Sequence, residues 1–127
     1  MFSHMVVGSN DLERSRKFYD ALFAAMGGRP PIQDQKGRLI YIHKGSLFMV
    51  TTPIDGQPAC HANGGTIGFT VSGPTEADAW HKAGTENGGT AIEEPPGVRS
   101  GEFGSLYLAY LRDPDGNKLC AMHRVAT

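Results

Sequence analysis

The chain has 127 residues and a formal net charge of −1, with 39% hydrophobic and 20% charged residues. This length holds one ordinary domain with a real core, and the composition is typical of a globular protein, not of a disordered or fibrous one. Lys and Arg are spread along the chain without a basic stripe, so nucleic acid is not an expected partner.

The sequence carries no signal for a membrane or for export. No apolar run reaches the roughly 18 residues that a membrane span needs, and the first residues lack the charged and then apolar design of a secretory signal. Cys60 and Cys120 do not make a disulfide framework, and a reducing compartment would keep both as thiols. We therefore predict a cytoplasmic protein without membrane association.

The first half of the chain has one clear helix between short strands. Alternation from His4 to Val7 predicts the first strand. Asn10 and Asp11 can cap a helix whose apolar residues recur at three- and four-residue steps up to Met26, and Gly27-Gly28 ends it. The next predicted strands are a weak one near Ile32, Leu39 to His43, and Leu47 to Thr51, the last two joined by a tight hairpin at Lys44-Gly45-Ser46.

The second half repeats this order after a polar, Pro- and Gly-containing linker from Pro53 to Asn63. Ile67 to Val71 alternate as a strand, and a helix follows that Thr75 can cap and Gly88-Gly89 ends. The remaining predicted strands are Ala91 to Glu93, Leu106 to Leu111, and Lys118 to His123, with Asp113 to Asn117 as a strong turn signal between the last two.

The two halves predict an internal duplication. With Thr66 aligned on His4, Gly88-Gly89 falls within one residue of Gly27-Gly28, so the repeats run over about 1–58 and 64–127. Each half is too small to hide a sheet face alone. We therefore predict one domain over 1–127 with an α+β fold, in which two tandem βαβββ units form a curved mixed-sheet cup with the helices outside.

Three features make the chain similar to the vicinal oxygen chelate superfamily of glyoxalases, extradiol dioxygenases and bleomycin-resistance proteins. They are the duplicated βαβββ order, the opening from His4 to Leu12 with Phe18-Tyr19 on the following helix, and Tyr110 to Asn117 before the last strand. The resemblance spans essentially the whole chain. It implies the fold more than the function, because this fold hosts isomerases, dioxygenases, thiol transferases and binding proteins.

The resemblance also implies where a metal would bind. Enzymes of the superfamily hold it with His, Gln or Glu on the first and last strands of each half, and the matching positions here are His4, Phe48, Thr66 and Cys120. Phe48 cannot donate, Thr66 is a weak neutral oxygen, and a Cys120 thiolate could bind zinc. We expect no functional metal site and no cofactor; His4 and Cys120 are the weak candidates for a divalent metal.

Alternation further predicts an apolar pocket with few polar points, as is usual for a small-molecule site. Its predicted residues are His4, Tyr41, Phe48, Val50, Thr66, Tyr107, Cys120 and Met122. The stretch from Pro95 to Ser105 is long enough to act as a flap. Arg99 within it either meets an anionic or carbonyl group of the ligand or is an ordinary solvated arginine.

Three functional hypotheses follow. The leading one is a small-molecule-binding, glyoxalase-like protein with a degenerate metal site and a pocket for a small apolar or aromatic ligand. The alternative is a metal-dependent lyase or dioxygenase with an atypical site using His4 and Cys120, and the third is a dimeric scaffold without a ligand. Whether the chain is an enzyme is left open. We expect a homodimer, because superfamily members commonly cover the cup with a second chain and a bare sheet edge invites pairing.

Overall fold

The computed structural model describes residues 1–125 as two helices and nine strands, in one sheet of four strands and one of five. The predicted α+β fold of tandem βαβββ units is confirmed. None of the helices in this range is long and apolar enough to cross a membrane. The elements are β1 (His4–Gly8), α1 (Leu12–Ala25), β2 (Ile32–Gln33), β3 (Leu39–His43), β4 (Ser46–Thr51), β5 (Ile67–Thr70), α2 (Pro74–Glu86), β6 (Thr90–Ala91), β7 (Gly97–Gly101), β8 (Gly104–Arg112) and β9 (Lys118–Arg124).

In each half the first strand pairs with the last strand and forms one edge of an open sheet. β1 runs parallel to β4, and β5 runs parallel to β9. The other pairs are antiparallel and give the orders β1-β4-β3-β2 and β5-β9-β8-β6, with β7 also on β8. The helix between the first and second strands of each half covers one face of its sheet, which leaves the opposite face open.

The two helices begin by different means. The Asp11 carboxylate accepts the amide of Arg14 at 3.1 Å, which is the predicted cap of α1. The prediction that Thr75 caps α2 is wrong, because α2 starts one residue earlier with Pro74 after Gly73. Proline suits this first position because its fixed φ is helical and it has no N–H to leave unpaired.

The segment from Pro95 to Ser105 is not a free flap, so that prediction is wrong. Its central part is β7, paired antiparallel with β8 so that Val98 lies opposite Tyr107. Glycines at both ends of β7 carry no side chain, so the alternation that marks a strand is hidden in this sequence. The segment is the outer arm of a hairpin.

Both halves contribute to one aromatic core. Phe23 of α1 stacks on Tyr41 of β3, with ring centroids 4.5 Å apart. Phe48 of β4 contacts Phe69 of β5 at 5.4 Å, and Phe69 in turn contacts Trp80 of α2 at 6.2 Å. The helix-covered faces of the two sheets therefore share this core, and the open faces lie outside it.

The helices approach each other closely at Gly84. A Cβ at this position would lie 2.3 Å from Cδ1 of Leu111 and 3.3 Å from Cε1 of Phe18. Both distances are shorter than ordinary van der Waals contact, so a larger residue would force the Leu111 side chain of β8 to move and would crowd Phe18 of α1.

A turn of the second half is bound to the first helix. We call residues Asp113 to Asn117 the Asp113 turn. The buried Asp113 carboxylate accepts the Tyr19 hydroxyl at 2.5 Å, the Asn117 side-chain amide at 2.8 Å and the backbone amides of Asp115 and Asn117. Asp115 pairs with Arg14 at 2.8 Å. Burial and the nearby Asp113 charge raise the pKa of Tyr19 well above its usual value, so its hydroxyl stays a donor.

Replacing Tyr19 with Phe tests this connection between the halves. The change removes a buried hydrogen bond to a carboxylate, and we expect the free energy of unfolding to fall by about 1.5–3 kcal/mol. Tyr107→Phe is the matched control, because Tyr107 donates to Asp78 at 2.6 Å at an exposed site, where a loss of roughly 0.5 kcal/mol or less is expected. Urea denaturation measures both, and equal losses in the two variants would contradict the role given to Asp113.

Candidate ligand-binding site

In β4 the structure reverses the predicted facing of the side chains. Phe48 and Val50 were expected in the cup, but Phe48 pairs with Met5 and Val50 with Val7, and both are buried on the helix side. Tyr41, paired with Phe48, lies there too and is also fully buried. Apolar residues occupy both faces of this strand, so alternation alone gives no face, and packing against the aromatic residues of α1 decides.

In the second half Cys120 and Met122 lie on the open face, and Leu119 and Ala121 lie in the core. Tyr110 on β8 pairs with Cys120, so it also lies on the open face.

Two other predicted pocket residues lie elsewhere. Tyr107 is opposite His123, on the side of α2, where its hydroxyl bonds Asp78. Its placement in the cup was therefore wrong. Thr66 precedes β5 and is exposed.

Arg99 is held by backbone oxygens. Its guanidinium donates to the carbonyls of Glu94, Pro95, Gly97 and Leu108 at 2.8–3.1 Å. Nη1 shares its two hydrogens among the carbonyls of Pro95, Gly97 and Leu108, and Nη2 donates to that of Glu94. Arg99 thus fastens the loop before β7 to β8 and is not the free solvated side chain of one prediction, while its contact with a ligand stays a prediction.

Cys120 lies in a small polar group on the open face of the second sheet. The Lys118 ammonium bonds the Glu93 carboxylate and lies 5.0 Å from the centre of the Tyr110 ring. Burial raises the pKa of the Cys120 thiol, and the Tyr110 hydroxyl opposes that shift. Since the thiolate is the nucleophile and the metal ligand, this environment disfavours both roles at neutral pH.

The donor set implied by the resemblance does not fit a metal ion. Within residues 1–125, no three His, Cys, Asp or Glu side chains come together as a ligand group. Of the four implied positions only His4 and Cys120 carry an ordinary donor, because Phe48 lies in the core and Thr66 is an exposed hydroxyl. Neither zinc nor non-haem iron accepts so few donors.

A cavity of about 330 Å³ opens where the edge strands β1 and β5 approach each other. We call it the β1–β5 cavity. It includes three of the predicted residues, His4, Tyr41 and Phe48. Its apolar lining is Phe2, Met5, Phe23, Met26, Tyr41, Leu47, Phe48, Ile67 and Phe69, and its polar lining is Ser3, His4, His43, Lys44, Ser46 and Thr70, with Gly68 between them.

His43 is the polar residue of this cavity that the protein leaves unsatisfied. Its Nε2 is buried and has no hydrogen-bond partner in the structure. The ring is held between Phe23, at a centroid distance of 6.2 Å and nearly edge-on, and the backbone of Gly28. A buried ring nitrogen without a partner costs about 1–3 kcal/mol, and because this nitrogen is closed to solvent it does not face the open cavity.

Sequence reasoning did not single out this part of the site. Phe23, Met26 and Phe69 have the spacing of ordinary core residues, and Lys44 has the position of an ordinary turn residue. No local signal marks them, because the cavity forms only where the two halves meet.

Comparisons with known proteins identify relatives over nearly the full chain. A family model described as the Glyoxalase/Bleomycin resistance protein/Dioxygenase superfamily matches residues 1–121. The crystal structure of a glyoxalase/bleomycin resistance protein from Albidiferax ferrireducens T118 is 57% identical, with a TM-score of 0.94 over 98% of this chain and 99% of that one. Among curated proteins no match was found.

More distant structures share the fold alone. A glyoxalase/bleomycin resistance protein/dioxygenase family enzyme from Burkholderia phytofirmans PsJN is 15% identical, with a TM-score of 0.71 over 97% of this chain and 98% of that one. A lactoylglutathione lyase from Agrobacterium tumefaciens is 17% identical, with a TM-score of 0.66 over 96% and 92%.

The two thiols should react very differently. Cys60 is exposed and Cys120 is buried with a raised pKa, so a thiol reagent such as DTNB at neutral pH should modify Cys60 readily in the native protein and Cys120 only after unfolding. The Cys60→Ser variant should therefore be nearly unreactive until denaturant is added. Fast modification of that variant under native conditions would show that Cys120 is an accessible thiolate.

Proposed function

Because this chain belongs to the glyoxalase/bleomycin resistance protein/dioxygenase superfamily, we propose that it is a small-molecule-binding member whose ligand occupies the β1–β5 cavity. The observation that carries the proposal is the cavity itself, with its aromatic walls and a few hydroxyl and nitrogen-bearing side chains in its lining. Apolar walls with a few oriented polar groups are the usual composition of a ligand site, and about 300 Å³ is the lower end of the usual size. A small apolar or single-ring aromatic molecule therefore suits it.

We further propose that the ancestral metal site is degenerate. His4 and Cys120 supply two candidate donors on separate sheets, and the raised pKa of Cys120 keeps its thiol protonated. The alternative, a metal-dependent lyase or dioxygenase, needs a further ligand that the described residues do not bring to these two. Elemental analysis of protein purified without a metal-chelating tag separates the two, since a stoichiometric metal lost in His4→Ala would favour the alternative.

Methyl NMR tests the location of the ligand. Benzyl alcohol added to protein with labelled methionine methyls should shift the signals of Met5 and Met26, which line the cavity, and leave those of Met49 and Met122, which belong to the open faces, unchanged. At a hundredfold excess over its dissociation constant the ligand should stabilise the fold by about 2.7 kcal/mol.

The same experiment can reject the proposal. Shifts confined to Met49 or Met122 would move the site to an open sheet face. No shift and no thermal stabilisation with any small aromatic compound would favour a scaffold without a ligand.

We propose that the open face of the first sheet is covered by a second copy of the chain, in the cytoplasm. Support comes from an apolar surface that spans all four strands and is opposite the helix side: Val6, Ile32, Ile40, Ile42, Leu47 and Met49. Val6 and Ile32 are 46% and 57% exposed. Contiguous apolar patches of this kind on a folded chain are typical of protein interfaces, and a self-complementary dimer is the commonest closed arrangement.

Sedimentation tests the dimer. The wild type should sediment as a dimer at tens of micromolar, and Ile42→Lys should raise the dimer dissociation constant about tenfold or more by placing a charge in the contact. Val98→Lys is the control, since Val98 is an exposed apolar residue like Ile42 but lies on β7 of the other sheet. A monomeric wild type, or equal dissociation of both variants, would contradict this interface.

A further inference from the structure

The β1–β5 cavity runs along the edges of two strands. Its lining contains the consecutive residues 2–5, which lead into β1, and all four residues of β5, Ile67–Thr70. Successive residues of a strand direct their side chains to opposite faces, so a space on one face contacts only every second residue. A space that contacts every residue lies beside the strand, where the backbone N–H and C=O groups are.

The backbone of β5 turns alternate residues toward this edge. Just after β5, the amide of Val71 donates to the carbonyl of Met122 on β9 at 3.0 Å. The N–H and C=O groups of successive strand residues point to opposite edges, so those of Gly68 and Thr70 point away from β9. Since β5 is the last strand of its sheet, these groups are directed to the free edge that the cavity follows.

The same alternation leaves backbone groups of β1 unpaired on the opposite side of the cavity. Just after β1, the amide of Ser9 donates to the carbonyl of Thr51 on β4 at 2.8 Å. His4 is an odd number of residues away from Ser9, so its N–H and C=O point away from β4, to the free edge of the first sheet. Within residues 1–125, no backbone hydrogen bond outside the ladders engages His4, Gly68 or Thr70.

Neither edge carries the usual protection against an added strand. Proline and charged side chains commonly block an exposed edge, and β1 (HMVVG) and β5 (IGFT) contain no Pro, Lys, Arg, Asp or Glu. A glycine inside a strand often marks a place where a ligand or another backbone approaches closely. Gly68 is such a glycine, and a Cβ there would meet nothing within 4 Å. Crowding within the chain therefore does not explain its missing side chain.

We infer that the β1–β5 cavity takes a small apolar or aromatic molecule that carries a secondary amide, held between the two strand edges. This inference rests on the proposed function and names the chemistry of its ligand. A trans secondary amide is planar, with its N–H and C=O on opposite sides. One of these groups bonds the backbone of Gly68 or Thr70, and the other bonds that of His4 across the cavity, as an added strand would do. The apolar part of the ligand lies against Phe48 and Phe69, which also line the cavity.

Two probes of nearly equal shape test the amide: N-methylbenzamide and methyl benzoate. They differ in one group, an N–H in the amide and an oxygen in the ester. A cavity that offered only apolar walls would prefer the ester, because an amide N–H taken out of water without a partner is costly. With the edges engaged, isothermal titration should show N-methylbenzamide binding about fivefold or more tightly than methyl benzoate, the equivalent of one hydrogen bond. N,N-dimethylbenzamide, which has no N–H, should lose this advantage.

Hydrogen exchange locates the bond on the wild-type chain. Saturation with N-methylbenzamide should slow exchange of at least one of the edge amides of His4, Gly68 and Thr70 about fivefold or more, since a bonded N–H is protected. The amide of Val6 is the matched control, because it lies on the same edge of β1 as that of His4 but outside the cavity lining. Its exchange should not change.

The outcomes distinguish the two levels of the argument. If methyl benzoate binds as tightly as N-methylbenzamide, or if the lining amides gain no more protection than Val6, the amide inference is overturned. The proposed function stands in that case as long as either probe shifts the methyl signals of Met5 and Met26. If neither probe shifts them, both fail.

Discussion

The carboxylate of Asp113 decides how the two halves of this chain meet. It is buried in the second half yet receives the hydroxyl of Tyr19 from the first, and its remaining acceptor positions are filled by its own turn. A buried charge is tolerated only when its hydrogen bonds are complete, so the docked arrangement is strongly preferred over any in which the halves separate or slide. Asp115 adds Arg14 and the amide of Asn10 from the same helix end.

This docking has consequences on both sides of the molecule. The helix-covered faces share one aromatic core through Phe48 and Phe69, so each half completes the core of the other. The open faces are left available, one largely apolar and the other bearing Cys120 and Lys118. The edge strands β1 and β5 approach without pairing along their length, and the unfilled space between them is the β1–β5 cavity.

The fold was largely predictable because its signals are local. The helical stripe ending at Gly27-Gly28, the Asp113 turn and the alternation of Lys118 to Met122 each specify an element without reference to the rest of the chain. In β9 the alternation also gives the correct face, since Leu119 and Ala121 differ from Lys118 in polarity. In β4 the run Leu47 to Val50 is apolar throughout, and its facing depends on tertiary contacts that the sequence does not encode locally.

The candidate site was less predictable for the same reason. His4, Tyr41 and Phe48 were expected in a pocket, and they do line the cavity, but Tyr41 and Phe48 reach it from the helix side instead of from a cup. Whether His43 has a hydrogen-bond partner depends on all the groups that surround it in the folded chain, and the local sequence does not show them. Arg99 was expected either to meet a ligand or to be solvated, and its contact with the Leu108 carbonyl exists only because β7 pairs with β8.

The parallel pairing of first and last strands also sets an order of events during synthesis. The first sheet can close once β4 has left the ribosome, because all its strands lie within residues 4–51. The aromatic core that its helix side shares with the second half, including Phe48, stays incomplete until β5 and the Asp113 turn appear; the Tyr19–Asp113 contact spans 94 residues. A nascent chain therefore exposes apolar surface of its first half while residues 52 to 113 are synthesised, about half of the chain, and chaperone engagement is expected to concentrate in that interval.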